Sequence, residues 1–420
     1  MLSEYSLYQT EIQNHLKNEL LPFWTDRILD REFGGFLTYF DRDGNPTGET
    51  DKALLSQVRS LYSLSAAHRA GYGGGKLIEL AYRGYEFLIH NFWDKQHQGW
   101  YWIVSRDGGL IDPSKIVYGF SFAIYGLSEY YLASGDESVL DWIEKTLNAL
   151  QSHAKDKEFG GYFELFERDW SLKPGGLYGG DRKTLDVHMH LMEAFTKMYE
   201  AHSSTHHKDL VLDVLKILIE KILHPETYLG VSQFTQEWRP LRAILFKTVW
   251  GADREVKEDL GRPIDNTSYG HNVELGWLMK ESASLLGLEI KPISKIVKSL
   301  YEHCLEYGID WERGGVYCEG PFSGPARERN KEFWQQAEAM VAMLDGFEHF
   351  RDKIYFDAYK NIHRFVFDFM INHRVGEWRP LFSPENEPVW DYMATAWKVN
   401  YHTIRSMLEC EKRLSRIQID

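Results

Sequence analysis

Cysteine is scarce: Cys304, Cys318 and Cys410 are the only three in 420 residues. Their separation suits neither a Cys/His zinc module nor a disulfide framework. An odd, sparse set of thiols is what a reducing compartment tolerates, so a cytoplasmic protein is expected. No apolar run approaches the roughly 20 residues of a membrane span. The N-terminal stretch MLSEYSLYQTEIQNHLKNELL is polar and amphipathic, and lacks the basic n-region and apolar h-region of a secretory leader. No Pro/Gly/Ser-rich linker and no block of like charge divides the chain. Positive charge is in deficit, 48 Lys and Arg against 62 Asp and Glu, for a net charge of −14. That balance argues against nucleic acid and anionic membrane as partners. Also missing are HEXXH and Cys/His ligand spacings, a P-loop, a GxGxxG fingerprint and a nucleophile elbow. The expectation is therefore chemistry without a metal or other cofactor.

Aromatic residues, by contrast, are abundant: 14 Trp, 24 Tyr and 23 Phe, 15% of the chain. They can fill a large core, and their flat apolar faces also suit the C–H faces of pyranose sugars. A glycine-centred stretch recurs six times: DREFGGFLTYFDRDG, DKQHQGWYWIVSRDG, DKEFGGYFELFERDW, HPETYLGVSQFTQEW, DWERGGVYCEGPFSG and NHRVGEWRPLFSPEN. The anchoring glycines are Gly35, Gly99, Gly161, Gly230, Gly315 and Gly376, spaced by 64, 62, 69, 85 and 61 residues. Each stretch reads as a tight turn followed by a short extended segment.

Two helical patterns fill each interval. Helices are expected over 5–24, 52–70, 76–92, 116–134, 137–153, 184–203, 207–223, 271–287, 292–307, 331–349, 352–371 and 391–414. YGFSFAIYGLSEYYLAS is apolar on nearly every face, whereas LDWIEKTLNALQSHA is amphipathic. The first kind of helix sits inside and the second covers it. Six such hairpins predict an all-α fold, a closed (α/α)6 barrel over residues 1–420 as one domain. An open solenoid of helix pairs is the alternative. The glycine stretches would gather at one end and wall a pocket. The 85-residue interval carries roughly 20 extra residues, FKTVWGADREVKEDLGRPIDN, with Trp250, Asp253, Arg254 and Asp265; long insertions of this kind are usually functional or disordered, and a pocket-lining loop is expected.

Four constellations carry candidate chemistry. In SYGHNVELGWLM the helix opens with His271, and Glu274 lies one turn on, where a carboxylate can hold the imidazole in one tautomer. In LLSQVRSLYSLSA, Arg59 sits among apolar neighbours and needs a partner. In LDVHMHLMEAF, His188 and His190 lie about 200° apart around a helix and cannot share a metal, so one of them faces the pocket; Asp186 and His190 share a face. In WKVNYHTIRSMLE, His402 and Arg405 share a face beside Trp397.

The pieces YGHNVELGWL, VHMHLMEAF, KEFWQQAEAM and WKVNYHTIR resemble the N-acylglucosamine 2-epimerase family, nearly end to end. The resemblance implies an (α/α)6 barrel and two acid/base histidines at His271 and His402. It implies a supporting carboxylate at Glu274, a third pocket histidine at His190 and an arginine near the reacting oxygens at Arg59. Tyr118 then resembles a sugar-contacting tyrosine, and Trp334 and Trp397 aromatic platforms. Asp186, Glu338, Trp250 and Asp253 complete the expected sugar contacts. Cellobiose 2-epimerases usually have Asn at the place of Asp186, Gly-Pro at Val399 and Asn400, and two Trp at Phe333 and Trp334. These departures favour the mannose 2-epimerase branch. The expected activity is interconversion of D-mannose and D-glucose by a monomer or homodimer. The same enediolate would serve an aldose–ketose isomerase. A glycoside hydrolase would need two opposed carboxylates, and a non-catalytic sugar-binding toroid would leave three histidines unexplained.

Overall fold

The computed structural model describes residues 4–173, 180–242 and 263–417. Its helices are α1 (Glu4–His15), α2 (Leu21–Arg27), α3 (Leu54–Arg69), α4 (Gly75–Asn91), α5 (Val117–Ser134), α6 (Ser138–Ala149), α7 (Leu185–Ala201), α8 (Thr205–Ile217), α9 (Tyr269–Leu285), α10 (Ile290–His303), α11 (Phe333–Phe350), α12 (Lys353–Phe365) and α13 (Tyr401–Ile417). The expected inside–outside alternation is present. α5 is buried almost all round, from Val117 to Tyr130. α10 buries only a stripe, Ile293, Ile296, Val297, Leu300, Tyr301 and His303, spaced mostly at three- and four-residue steps.

Helices α3, α5, α7, α9, α11 and α13 pack side by side in that order, and α13 packs back on α3, which closes the ring and excludes the solenoid. Each carries an outer partner: α4, α6, α8, α10 and α12 follow their inner helices, while α13 takes α1 from the other end of the chain. Gln9 Nε2 donates to Ser415 Oγ at 2.8 Å and Gln13 Nε2 to Glu411 Oε1 at 2.6 Å across that junction. No helix among the described residues is long and apolar enough to cross a membrane.

The six glycine stretches form six equivalent hairpins, bridged at Leu29–Phe36, Trp93–Trp100, Lys155–Tyr162, Leu223–Gly230, Ile309–Val316 and Ile371–Trp378. Gly35 shows why glycine is needed: its φ is +68°, and a Cβ there would lie 2.7 Å from the Phe87 ring. The segment after each hairpin pairs with the two or three residues that lead into the preceding inner helix. Lys52–Ala53 pairs with Ile103–Val104, Lys115–Ile116 with Leu165–Phe166, Lys183–Thr184 with Gln233–Phe234, Asn266–Ser268 with Glu319–Pro321 and Lys331–Glu332 with Leu381–Phe382. A bridge from Phe40 to Ala394 completes the circle. All six inner helices therefore start at one rim.

Buried ion pairs pin that rim. Lys52 Nζ lies 3.0 Å from Asp30, Lys115 3.2 Å from Asp94, Lys183 2.6 Å from Asp156 and Lys331 2.8 Å from Asp310. In each pair the aspartate stands five residues before the anchoring glycine and the lysine leads into the next inner helix. The sixth unit substitutes Lys398 and Glu377, 3.3 Å apart. In the fourth, His224 and Thr267 stand at the equivalent places, and Thr267 Oγ1 donates to Gly230 O at 2.8 Å.

Most expected boundaries shift by a residue or two, and two of the differences bear on the site. The last inner helix starts at Tyr401 rather than 391, because 391–400 is used by the Phe40 bridge, the Lys398 ion pair and a turn in which Thr395 Oγ1 accepts from the Trp397 and Lys398 N–H groups. The helix of His271 opens two residues earlier, at Tyr269, and Ser268 Oγ caps it by accepting from His271 N at 3.2 Å.

Candidate active site

Because the inner helices share one starting rim, equal steps along them reach equal depth. Arg59, Phe122, His190, Glu274 and Glu338 each stand five residues past the first residue of their helix, Leu54, Val117, Leu185, Tyr269 and Phe333. They form a deep tier across the barrel axis. Nearer the rim come Tyr118, Asp186, His271, Trp334 and His402, each one or two residues into its helix. Six helix N-termini point their positive dipole ends at this space.

The upper tier centres on Trp334. Its ring centroid lies 4.6 Å from that of His271 and 5.8 Å from that of His402, so imidazoles borne on α9 and α13 both pack on one indole. Gly270 permits this approach: a Cβ there would come within 2.6 Å of Gln335 and 2.8 Å of the Trp334 ring. His402 is buried, and its Nδ1 lies 2.7 Å from Glu338 Oε1. The same oxygen accepts from Arg405 Nη2 at 2.7 Å, and Oε2 accepts from Trp277 Nε1 at 3.2 Å. Burial raises the Glu338 pKa and Arg405 opposes that shift. With Oε1 accepting from Arg405 and Oε2 from Trp277 the carboxylate is placed as an acceptor, so His402 Nδ1 carries the proton and Nε2 is the basic nitrogen. Burial, then Arg59 and Arg405, hold the pKa of His402 well below the ordinary histidine value.

His190 is built the same way. Its Nδ1 donates to Glu193 Oε2 at 2.8 Å, and its ring packs 4.7 Å from Phe122 and 5.3 Å from Tyr118. Burial lowers its pKa, and Glu193 opposes the shift. Burial alone would raise Glu193, but Arg405 and His190 outweigh it and hold Glu193 at about 2. His188 points elsewhere. Its Nδ1 donates to Thr184 O at 2.7 Å and its Nε2 accepts from Tyr162 N at 3.1 Å, with burial pushing its pKa down to about 4. It is a structural histidine that ties α7 to a rim hairpin.

Arg59 Nη2 donates to Tyr118 Oη at 2.8 Å and Nη1 to Trp397 O at 3.4 Å, with its guanidinium 4.2 Å from the Phe122 ring and 4.9 Å from that of Tyr401. Trp397 is half-buried and packs 5.4 Å from Trp102. Asp186 is half-buried on the first turn of α7. Trp250 and Asp253 lie outside the described residues. Asp265, at the end of that insertion, is paired with Arg327 at 3.0 Å.

Glu274 departs from expectation. The hydrogen bond the structure gives its carboxylate is to Arg405 Nη2 at 2.6 Å, not to the imidazole three residues earlier. The side chains at His271 and Glu274 lie in different tiers, and the carboxylate reaches inward to the buried guanidinium. Burial and the neighbouring charge of Glu338 raise its pKa well above the usual range.

Glu274, Glu338 and His402 bring three potential ligand atoms within 4.8 Å of one another. Arg405 already bonds both carboxylates, so a divalent ion would have to displace a guanidinium. A surface trio, Glu144, His202 and His207, has the same spread, and there His207 bonds the Glu144 carboxylate at 2.9 Å and His202 O at 2.7 Å. Sequence reasoning noted Glu193 in LDVHMHLMEAF without giving it a role, and overlooked Tyr401 and Phe122. The signal available for Phe122 was the shared register of the deep tier, visible only once the inner helices are aligned by their starts.

The sequence profile of N-acylglucosamine 2-epimerase (GlcNAc 2-epimerase) matches residues 34–406. A cellobiose 2-epimerase of Bacteroides fragilis is 27% identical over 413 residues, covering 96% of this chain and 98% of the relative. A D-mannose isomerase of Marinomonas mediterranea is 24% identical, covering 97% and 98%. The structure of cellobiose 2-epimerase from Bacillus thermoamylovorans superposes with a TM-score of 0.86 at 25% identity, covering 97% of this chain and all of that one. With this match along almost its whole length, the chain belongs to the N-acylglucosamine 2-epimerase family and is an enzyme of the epimerase/isomerase class.

Proposed function

We propose that the protein epimerises a free reducing sugar at C2, interconverting D-mannose and D-glucose. The observation that carries this reading is the pair of imidazoles, His271 and His402, brought from two inner helices onto the one Trp334 indole. Inversion at carbon needs a base on one face and an acid on the other, and imidazole serves both near neutral pH. The C2 proton is acidic only beside an open aldehyde. His190 assists ring opening of the hemiacetal. One histidine then takes the C2 proton, and the C–H electrons move into the C1 carbonyl to give a cis-enediolate. The other returns a proton to C2 from the opposite face as the carbonyl reforms. Arg59 and the converging helix N-termini stabilise the developing oxyanion. Trp334 and Trp397 offer flat faces to the sugar ring.

Asp186, Phe333 and Val399 support a monosaccharide, because they stand where cellobiose 2-epimerases usually carry other residues. The second reading is cellobiose 2-epimerisation, favoured by the names of relatives at 27–28% identity. Incubation with D-mannose, D-glucose, D-fructose and cellobiose, followed by chromatography, tests both. The expected result is glucose from mannose and mannose from glucose, with little turnover of cellobiose. A higher kcat/KM for cellobiose selects the second reading. Fructose as the main product from mannose makes the enzyme an isomerase.

A further inference from the structure

Arg405 on α13 lies below both pocket histidines and touches neither. Nη1 donates to Glu193 Oε1 and to the Tyr401 hydroxyl, which itself donates to Glu193 Oε1 at 2.8 Å. Nη2 donates to Glu274 Oε1 at 2.6 Å and Glu338 Oε1 at 2.7 Å. One planar fork thus holds carboxylates from α7, α9 and α11. Two of them are the carboxylates that accept the Nδ1 protons of His190 and His402. Arg405 is 1% exposed, so its charge has no solvent to replace a lost partner. On its far side, a cavity of about 840 Å³ at the opposite mouth of the barrel reaches Arg405 and Glu193 together with Tyr62, Tyr125 and Trp277. The Arg405 layer is therefore the partition between the pocket and that cavity.

We infer that Arg405 is a positioning residue that sets the tautomers of His190 and His402 together, by orienting Glu193 and Glu338 with one guanidinium. Three carboxylates on one cation leave surplus negative charge, and burial with the neighbouring Glu338 charge pushes the Glu274 pKa well up. A lysine at 405 keeps the charge, but a single nitrogen cannot replace two forked donors serving four oxygens. That the two rings act on a sugar rests on the function proposed above; their tautomers do not.

The experiment is ¹⁵N NMR of the histidine rings, with steady-state kinetics, on the wild-type protein and on Arg405→Lys, Glu193→Gln and Glu338→Gln. In the wild type, His190 and His402 should both show the Nδ1–H tautomer. Glu193→Gln should perturb His190 only, and Glu338→Gln His402 only. Arg405→Lys should perturb both and lower kcat about 10²-fold with little change in KM, the loss typical of a mispositioned acid/base group. An Nε2–H tautomer for either ring in the wild type overturns the inference, and this arm needs no variant to fold. A folded Arg405→Lys protein with both tautomers and kcat unchanged overturns it as well. Correct tautomers with no turnover of any sugar would sink the proposed function and leave the inference standing.

Discussion

A base must be neutral before it can accept a proton. His402 meets that condition because burial and two nearby guanidinium groups, Arg59 and Arg405, disfavour its charged form. The folded pKa lies below the ordinary value, so protonation should abolish activity only as pH falls past it. The acid limb of kcat/KM against pH is expected below pH 6.5; a limb above pH 7 would remove His402 as the resting base. Arg59→Gln removes one of the charges that depress this pKa and also a donor to the oxyanion. It should move the limb to higher pH and lower kcat about 10²-fold. His271→Ala and His402→Ala should each cost about 10²–10⁴-fold in turnover with the circular dichroism unchanged. Near-normal rates in either variant would take that histidine out of the mechanism.

The rim hairpin is the element that places these residues. Asp30 illustrates its energetics. Burial alone would raise its carboxyl, but hydrogen bonds from Arg106 and Lys52 outweigh that cost and hold it at about 2. A depressed carboxyl pKa contributes stability that is complete above the unfolded value and disappears as pH falls through the folded one. Asp30 therefore stabilises the fold above about pH 4 and ceases to do so toward pH 2. Asp30→Asn should lower stability at pH 7 by about 2 kcal/mol and reduce the stability lost between pH 4 and 2, since the variant has no carboxylate to protonate there. Urea unfolding at pH 7 and pH 3 measures both. An unchanged midpoint at pH 7 would mean that the Gly34 and Arg106 carbonyls, each 2.6 Å from Lys52 Nζ, suffice to hold the lysine.

For the whole molecule, closure of the ring brings six helix starts to one space, and the proposed reaction runs there through exchangeable histidine protons. Turnover in D₂O should place deuterium at C2 of the epimerised sugar, read by NMR. Deuterium chiefly at C1 of a ketose would assign the enzyme to isomerisation. Closure also brings α1 against α13, so the first and last hairpin elements depend on each other.

The sequence by itself determined the repeat, the alternation of inner and outer helices and the number of units, because periodicity and glycine spacing are local properties of a chain. It also marked His190, His271, His402 and Arg59 as candidates, since polar groups in apolar helices demand an explanation. Closure on itself was decided by tertiary structure, because a ring and a solenoid share every local pattern and differ only in whether α13 meets α3. Partners were decided there too. Glu274 lies one turn from His271 in sequence, but its hydrogen bond crosses the barrel to Arg405. Glu338 finds His402 across a gap of 64 residues. Likewise, His188 and His190 read alike in the chain. Only packing directs one to a rim hairpin and the other to the pocket, because α7 can present just one of two opposite faces to the barrel axis.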